Sequence, residues 1–366
     1  MTTRIVYIIP TMDRGGAEKQ LCLLAENLPR DRFDVHVVLL TRDGPRSERL
    51  RDAGIPVTVI GKRFKADPTA LLRLRKCLVG LKPDLVHTWI FAANSFGRAA
   101  AKLAGVPRIL ASERCVDPWK TAAHHWIDRR LASFTKAITT NSSGVVEFYA
   151  SHGIPADLFR VIPNGIESRS DHSIDREEAF ARLQVDPQRK LILAVGRLWP
   201  QKRYRDLVWA AELLATTRQD TSLVILGDGP QRGELLRFRD SVTVPEHVRF
   251  AGQRDDVSEL LPHADAFWIG SQYEGQSNAL IEAMQACVPV VASDIAGNRD
   301  LVIDGETGCL VPLGDTADLA RQTHLLLEDR ERARGLAQAA QNRIATEFTV
   351  MAMVNRHVQL YESCSA

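Results

Sequence analysis

The sequence predicts an α/β protein: two tandem domains, each a parallel sheet covered on both faces by helices. Three observations lead there. Short β-branched runs alternate with amphipathic helical patterns, the alternation breaks once and resumes, and 366 residues with 45% hydrophobic content suffice for two cores.

The first strand reads RIVYII over residues 4 to 9, and a Gly-containing loop leads into a pattern with Leu21, Leu24 and Leu28 at helical spacing. Strands DVHVVLL, PVTVI, DLVHTW, RILAS and KAITT come next, separated by helical segments such as TALLRLRKCLVG and NSFGRAAAKLAG. At RVIPNGIE (160 to 167) a Pro-Asn-Gly turn and then the polar run SRSDHSIDREE interrupt the pattern. The first domain is therefore expected over 1–168 and a linker over 169–190. The second alternation, KLILAVG, SLVILGDGP, HVRFAG, DAFWIGS, VPVVASD and GCLVP, defines a second domain over 191–345. After a break around Phe348, TVMAMVNRHVQLYES makes 346–366 a helix expected to return to the first domain.

Charge is distributed unevenly. Residues 1–168 hold 25 Lys+Arg against 16 Asp+Glu, and the remainder 22 against 29. A basic half suits anionic substrates or an anionic lipid surface, although ordinary solvated helix faces give the same count. GKRFK (61 to 65) and RLRK (73 to 76) concentrate the charge, the latter on a helix with Leu71, Leu72, Leu74 and Leu78, as a membrane surface would favour. Six cysteines without Cys-x-x-Cys or regular spacing indicate neither a zinc site nor a disulfide framework, and a reducing, cytoplasmic compartment. The apolar run before Pro10 is too short for a signal peptide, and no stretch approaches a membrane span. No Asp-x-Asp occurs, and His124 and His125 point to different helix faces, so neither a metal nor a cofactor is expected.

The stretch SQYEGQSNALIEAM (271 to 284) carries the first chemical signal. A buried strand ends in a loop holding Glu274, and a helix starts with Ser277 or Asn278 available as cap, placing Glu282 in its second turn. Amides around Gln276, Ser277, Asn278 and Ala279 suit phosphate oxygens or sugar hydroxyls. Carboxylates accept hydrogen bonds from hydroxyl groups. The stretch thus reads as a grip on a molecule with a negative centre and hydroxylated ends, such as a nucleotide-sugar, although two glutamates at this separation also arise by chance. AVGRLWPQK (194 to 202) puts Arg197 and Lys202 near a strand's carboxyl end. Fixed cations there neutralise a departing diphosphate, each by about 4 kcal/mol at about 4 Å in an effective dielectric near 20; a solvated surface pair is the plain alternative. His87, in DLVHTW, sits at another strand's carboxyl end, where it serves the site or packs in the core beside Trp89.

GRLWPQK, EGQSNALIEAM, PVVASDIAGNRDLVIDGETGCLVP and the amino-terminal GGAE (15 to 18), in this order and spacing, resemble the retaining glycosyltransferases of family 4. That family adopts the GT-B fold, two Rossmann-like domains with a cleft between them. The resemblance covers almost the whole chain and is most specific between 194 and 315. It implies that Arg197 and Lys202 contact the donor diphosphate, Glu282 the ribose and Glu274 hydroxyls of the donor sugar. Gly15 and Gly16 approach the donor phosphates from the first domain, and residues 250 to 254, Arg254 among them, border the base. His87 looks like a histidine often found at its position in the family.

The sequence departs from the family pattern twice. Arg114, in ASER, stands where many members carry a His near the sugar, and Arg203 stands where Gly is usual. SER followed by Asp117-Pro118 resembles a subgroup that builds surface polysaccharides and lipid-linked oligosaccharides. The resemblance implies metal-independent hexosyl transfer with retention, through an oxocarbenium-like transition state. The donor it implies is a nucleotide-diphosphate sugar, UDP favoured, and the acceptor a hydroxyl of a saccharide or lipid-linked precursor on the side of the first domain. Glu113, Arg114 and Asp117 are reaction-centre candidates; with no outstanding nucleophile, front-face attack is favoured. A lipid-linked acceptor implies a peripheral position at an anionic membrane's inner face, and no nucleic-acid module is present. Two rival readings are a nucleotide-sugar-binding protein without turnover, motivated by Arg114, and a dinucleotide-dependent oxidoreductase. For the latter LGDGPQRG (226 to 233) follows a strand but lacks the dinucleotide spacing.

Overall fold

Seven parallel strands form the first sheet of the computed structural model, in which residues 2–168 and 174–364 are described. They are β1 (Thr3–Ile9), β2 (Phe33–Leu39), β3 (Val57–Val59), β4 (Leu85–Trp89), β5 (Arg108–Glu113), β6 (Ala137–Thr140) and β7 (Phe159–Val161), in the order β3-β2-β1-β4-β5-β6-β7. The second sheet, also parallel, has β8 (Lys190–Val195), β9 (Thr221–Leu226), β10 (Val248–Gly252), β11 (Ala266–Ile269), β12 (Val290–Ser293) and β13 (Cys309–Val311), in the order β10-β9-β8-β11-β12-β13. Ile5 to Ile9 are all fully buried, as expected of a strand with helices on both faces.

Helices α1 (Gly16–Asn27), α2 (Arg46–Asp52), α3 (Pro68–Leu81), α4 (Ile90–Leu103), α5 (Ala122–Ala132) and α6 (Ser143–Ser151) connect the first set of strands. The second set has α7 (Arg176–Leu183), α8 (Tyr204–Ala215), α9 (Arg232–Arg239), α10 (Val257–Leu260), α11 (Asn278–Gln285), α12 (Ala296–Arg299), α13 (Thr316–Glu328) and α14 (Arg330–Glu347). Caps explain where several begin. At α3, for example, Asp67 Oδ1 accepts from the Ala70 N–H at 3.0 Å and Pro68 occupies the first turn.

The chain divides into two compact units, one running to Gly165 and rejoined from Thr349 onward, the other Ile166–Phe348. The rejoining segment is α15 (Val350–Ser363), whose Met353, Val354, Val358 and Tyr361 are buried among Ile5, Leu24 and Phe33. The expected linker 169–190 needs correction. Residues 169–173 lie outside the described residues, but 176–183 are α7, capped by Asp175, with Ala179, Phe180 and Leu183 in the second unit's core. Its charged face conceals a narrow apolar stripe.

Inside the first unit, polar side chains join α15 to the sheet. The Tyr7 and Tyr361 hydroxyls lie 2.9 Å apart, Tyr361 Oη is 2.9 Å from His87 Nδ1, and His87 Nε2 is 3.1 Å from Thr139 Oγ1. Both His87 and His357 are fully buried. Burial, reinforced by His357 and Arg114, holds the His87 imidazole well below its ordinary range, and burial pushes His357 down to about 3.

Folded stability should therefore fall as acid is added, because the unfolded chain takes up protons on these histidines that the folded chain refuses. The loss begins as pH drops through about 6.5 and continues toward about 3 for His357, at up to about 1.4 kcal/mol per pH unit per histidine. Urea unfolding across this window should show the slope, and His357→Gln should flatten it; an unaltered slope in that variant contradicts the assignment.

Candidate active site

In both sheets the strand order reverses beside the first strand, and the crevice so formed at the carboxyl ends is where open α/β sheets hold ligands. In the second sheet the reversal lies between β8 and β11. Lys202 ends a single 3-10 turn after β8, and Glu274 lies in the loop after β11. The two meet as an ion pair, their side chains only 16% and 10% exposed. Ser271 donates to the same Glu274 oxygen at 2.7 Å, and the Gln272 N–H donates to the Gln201 carbonyl at 2.7 Å, tying the two loops together. Behind them, Ser293 Oγ donates to the Ser271 carbonyl at 2.7 Å and Asn298 Nδ2 to the Ser293 carbonyl at 2.8 Å.

Two glycines allow this close approach of loops. A Cβ on Gly297 would lie 2.0 Å from the Gly275 carbonyl oxygen and 2.9 Å from that of Glu274. A Cβ on Gly227 would lie 2.0 Å from the Gly196 oxygen, so the glycine following β9 serves the turn that launches Arg197. That contact, together with the Leu198 carbonyl oxygen 2.6 Å from a Cβ built on Gly229, accounts for the Gly-Asp-Gly of residues 227 to 229, which lacks the spacing of a dinucleotide fingerprint. Tyr204, buried under Gly196, is held neutral by burial and by the charge of Glu274. Sequence reasoning does not single out Ser271, Tyr204, Gly227 or Gly297 for this site; only the last two leave a trace there, as glycines after strands.

The other expected donor residues differ in how far they are committed to protein partners. Arg197 is exposed, its guanidinium 5.7 Å from the Trp199 ring centroid and paired with no carboxylate among the described residues. Ser277 occupies the N-cap of α11 with extended backbone, but its hydroxyl makes no capping bond. Gln276 is buried; Asn278, Ala279 and Glu282 share the half-exposed face of α11, opposite Leu280, Ile281 and Met284. Arg254 is gripped by Asp256 through two bonds of 2.7 and 2.6 Å, so its charge is largely answered. Arg203 has φ 52°, ψ 41°, a left-handed conformation that explains a preference for glycine there, and its Nε donates to Asp206 at 2.6 Å.

In the first unit, Gly15 caps α1 with extended backbone and Gly16 opens that helix, just after β1 and beside the reversal between β1 and β4. His87 must be withdrawn from the catalytic set. It has no exposure to solvent and both ring nitrogens are engaged by Tyr361 and Thr139, so it is a core histidine. Glu113 and Arg114 are also buried. Burial raises the Glu113 carboxyl to about 6 against the opposing pull of Lys120, while Arg114 lies 5.0 Å from the Trp89 ring centroid and is lowered to about 9 by burial.

Two family models match the chain: Glycosyltransferase Family 4 over residues 14–169 and Glycosyl transferases group 1 over residues 175–343. A glycogen synthase of Mycobacterium tuberculosis is 33% identical over 296 residues, covering 76% of this chain and 69% of the relative. An Escherichia coli UDP-Gal:alpha-D-GlcNAc-diphosphoundecaprenol alpha-1,3-galactosyltransferase is 25% identical over 373 residues, 97% of this chain and 95% of the relative. Among solved structures, HepE of Anabaena in complex with UDP-glucose matches with a TM-score of 0.88 at 24% identity, covering 98% of this chain and 99% of that one. Among the described residues no helix is long and apolar enough to cross a membrane, and no group of three or more His, Cys, Asp or Glu is arranged to hold a metal ion.

The glycine contact behind Glu274 is open to test. Gly297→Ala should force the 274–275 backbone aside and cost about 1–3 kcal/mol of stability, read from urea unfolding. A substitution without effect would mean that the loops are not locked as described.

Proposed function

The chain belongs to the family 4 glycosyltransferases, a retaining enzyme of GT-B fold, and from that premise we propose that it moves a hexosyl group from a UDP-sugar to a hydroxyl of a lipid-linked saccharide. One observation carries the site assignment: an ammonium and a carboxylate paired in the crevice where the second sheet reverses its strand order. The donor class is supported by the E. coli relative, which uses UDP-Gal, and by HepE, which binds UDP-glucose; the acceptor class by the diphosphoundecaprenol of that same relative.

In this reading the donor diphosphate draws Lys202 away from Glu274, which then accepts from hydroxyls of the donor sugar. Arg197, uncommitted to any acid among the described residues, supplies the second positive charge, and Glu282, one turn into α11, receives the ribose hydroxyls. Gln276, Ser277, Asn278 and Ala279 line the start of that helix, and Gly15 and Gly16 offer backbone amides from the first domain. Arg254 borders the base with its plane, since Asp256 holds its charge. The bond from the anomeric carbon to the phosphate oxygen breaks, the acceptor oxygen bonds to the same face, and the acceptor proton passes to the departing phosphate. Cations held in place stabilise the charge that develops on that phosphate.

The first domain takes the acceptor side. Its basic surface supports peripheral attachment to anionic lipid, with Phe64, Leu72 and Val79 exposed among lysines and arginines of the α3 region.

Released UDP, measured across UDP-glucose, UDP-galactose and UDP-N-acetylglucosamine with a soluble diphospholipid-linked acceptor, tests the reading. Lys202→Ala should lower turnover about 10²- to 10³-fold, or about 2.7–4 kcal/mol, because the leaving group loses its ammonium. Undiminished turnover in that variant would remove the lysine from the reaction.

A further inference from the structure

A second cluster of side chains lies within the first unit. Three rings meet at the carboxyl ends of β4 and β5: Phe91 and Trp119 with centroids 4.9 Å apart, Phe91 and His124 at 5.1 Å, and Trp119 and His124 at 5.6 Å, all near perpendicular. Such edge-to-face packing holds each ring in place while leaving a face open. Trp119 remains 53% exposed.

The rim of this platform is polar and fixed. Trp119 Nε1 donates to Asp117 Oδ1 at 3.1 Å, and the Tyr149 hydroxyl donates to Asp117 Oδ2 at 3.0 Å. Lys120, wholly buried, donates to Tyr149 Oη at 2.8 Å and to Asp128 at 3.0 Å, and its ammonium stands 4.7 Å from the Phe91 centroid. His124 Nδ1 accepts from the Thr121 N–H at 3.1 Å, so the tautomer that fits this bond carries its proton on Nε2. Ile90, immediately before Phe91, has φ 58°. A β-branched residue rarely adopts that left-handed conformation, and such local strain collects at binding sites.

We propose that Trp119 is the stacking platform for a pyranose ring of the acceptor, with the Asp117 carboxylate and His124 Nε2–H at its edge recognising hydroxyl groups. The apolar face of a sugar ring matches an exposed indole, and hydroxyls, being both donors and acceptors, match a rim that offers one of each. An anionic lipid surface is a poorer match, because Asp117 stands at the edge of the indole. Trp126, in the first turns of α5 and 54% exposed, is the internal contrast: the Arg130 guanidinium sits 5.4 Å from its ring centroid, where Trp119 has a carboxylate at its edge. This inference rests on the glycosyl-transfer reading for the identity of the bound saccharide, not for the existence of the platform.

The chain has six tryptophans, so the full-length protein labelled with 5-fluorotryptophan should give one fluorine resonance for each, assigned by Trp119→Phe, Trp126→Phe and Trp199→Phe. Methyl α-glycosides of glucose, galactose and N-acetylglucosamine should shift the Trp119 line and leave that of Trp126 in place. Asp117→Asn should weaken the response about three- to tenfold with the Trp119 line still present, as exchange of a charge-assisted hydrogen bond for a neutral one requires. UDP should move the Trp199 line instead; if it does not, the donor reading fails while a glycoside response at Trp119 still upholds the platform. The proposal is overturned if no glycoside moves the Trp119 line, if Trp126 responds equally, or if phosphatidylglycerol-containing vesicles alone perturb Trp119.

Discussion

One ammonium and one carboxylate, meeting where the second sheet reverses its strand order, give the carboxyl ends of that sheet their chemical character. The pairing of Lys202 with Glu274 is not primarily a device for stability. Desolvating two charges cancels most of the Coulombic gain, so a nearly buried pair contributes little beyond what apolar packing would. Its effect is to keep both groups satisfied while holding their loops in register. The supports behind it are neutral and directional: the Ser271 hydroxyl on the carboxylate, the Gln272–Gln201 backbone bond, and glycines at 227 and 297 that remove the side-chain atoms that would keep the loops apart.

How much of this is readable from residues alone depends on how local the cause is. Parallel strands buried on both faces appear as continuous β-branched runs, so both sheets and the position of Glu274 and Lys202 at strand ends are legible. The helix at 176–183 is not, because its apolar stripe is only Ala179, Phe180 and Leu183 within a charged run, and its register is set by a core contributed from residues far along the chain. His87 shows the same limit more sharply. Nothing near it in sequence announces that Tyr361, 274 residues away, takes one of its ring nitrogens. Without that partner, a polar residue at a strand's carboxyl end reads as a site residue.

Counting charge by halves is subject to a similar correction. Arg73 donates to the Ile60 and Gly61 carbonyls and Arg75 to that of Leu103, so two of the most conspicuous cations of α3 fasten the loop after β3 and the end of α4. Arg98 is buried against Asp128. A basic composition therefore overstates the field available to a distant anion, and the exposed remainder, not the count, bears on what the first unit attracts.

Two lysines separate exchangeable from permanent ion pairing. Lys120 is fully buried; burial alone would lower its pKa, but Glu113, Asp128 and Asp117 together raise it above its ordinary value. A ligand anion offers such a lysine nothing that three carboxylates do not already supply, and removing it would strand all three. Among the described residues Lys202 pairs with a single acid, and it keeps part of its surface in contact with solvent. In the proposed reading a diphosphate, carrying more negative charge than one carboxylate, displaces that partner and leaves Glu274 to hydroxyl donors. The same side chain is thus a fastening beside one sheet and, in that reading, a movable charge beside the other, and the number of acids around it decides which.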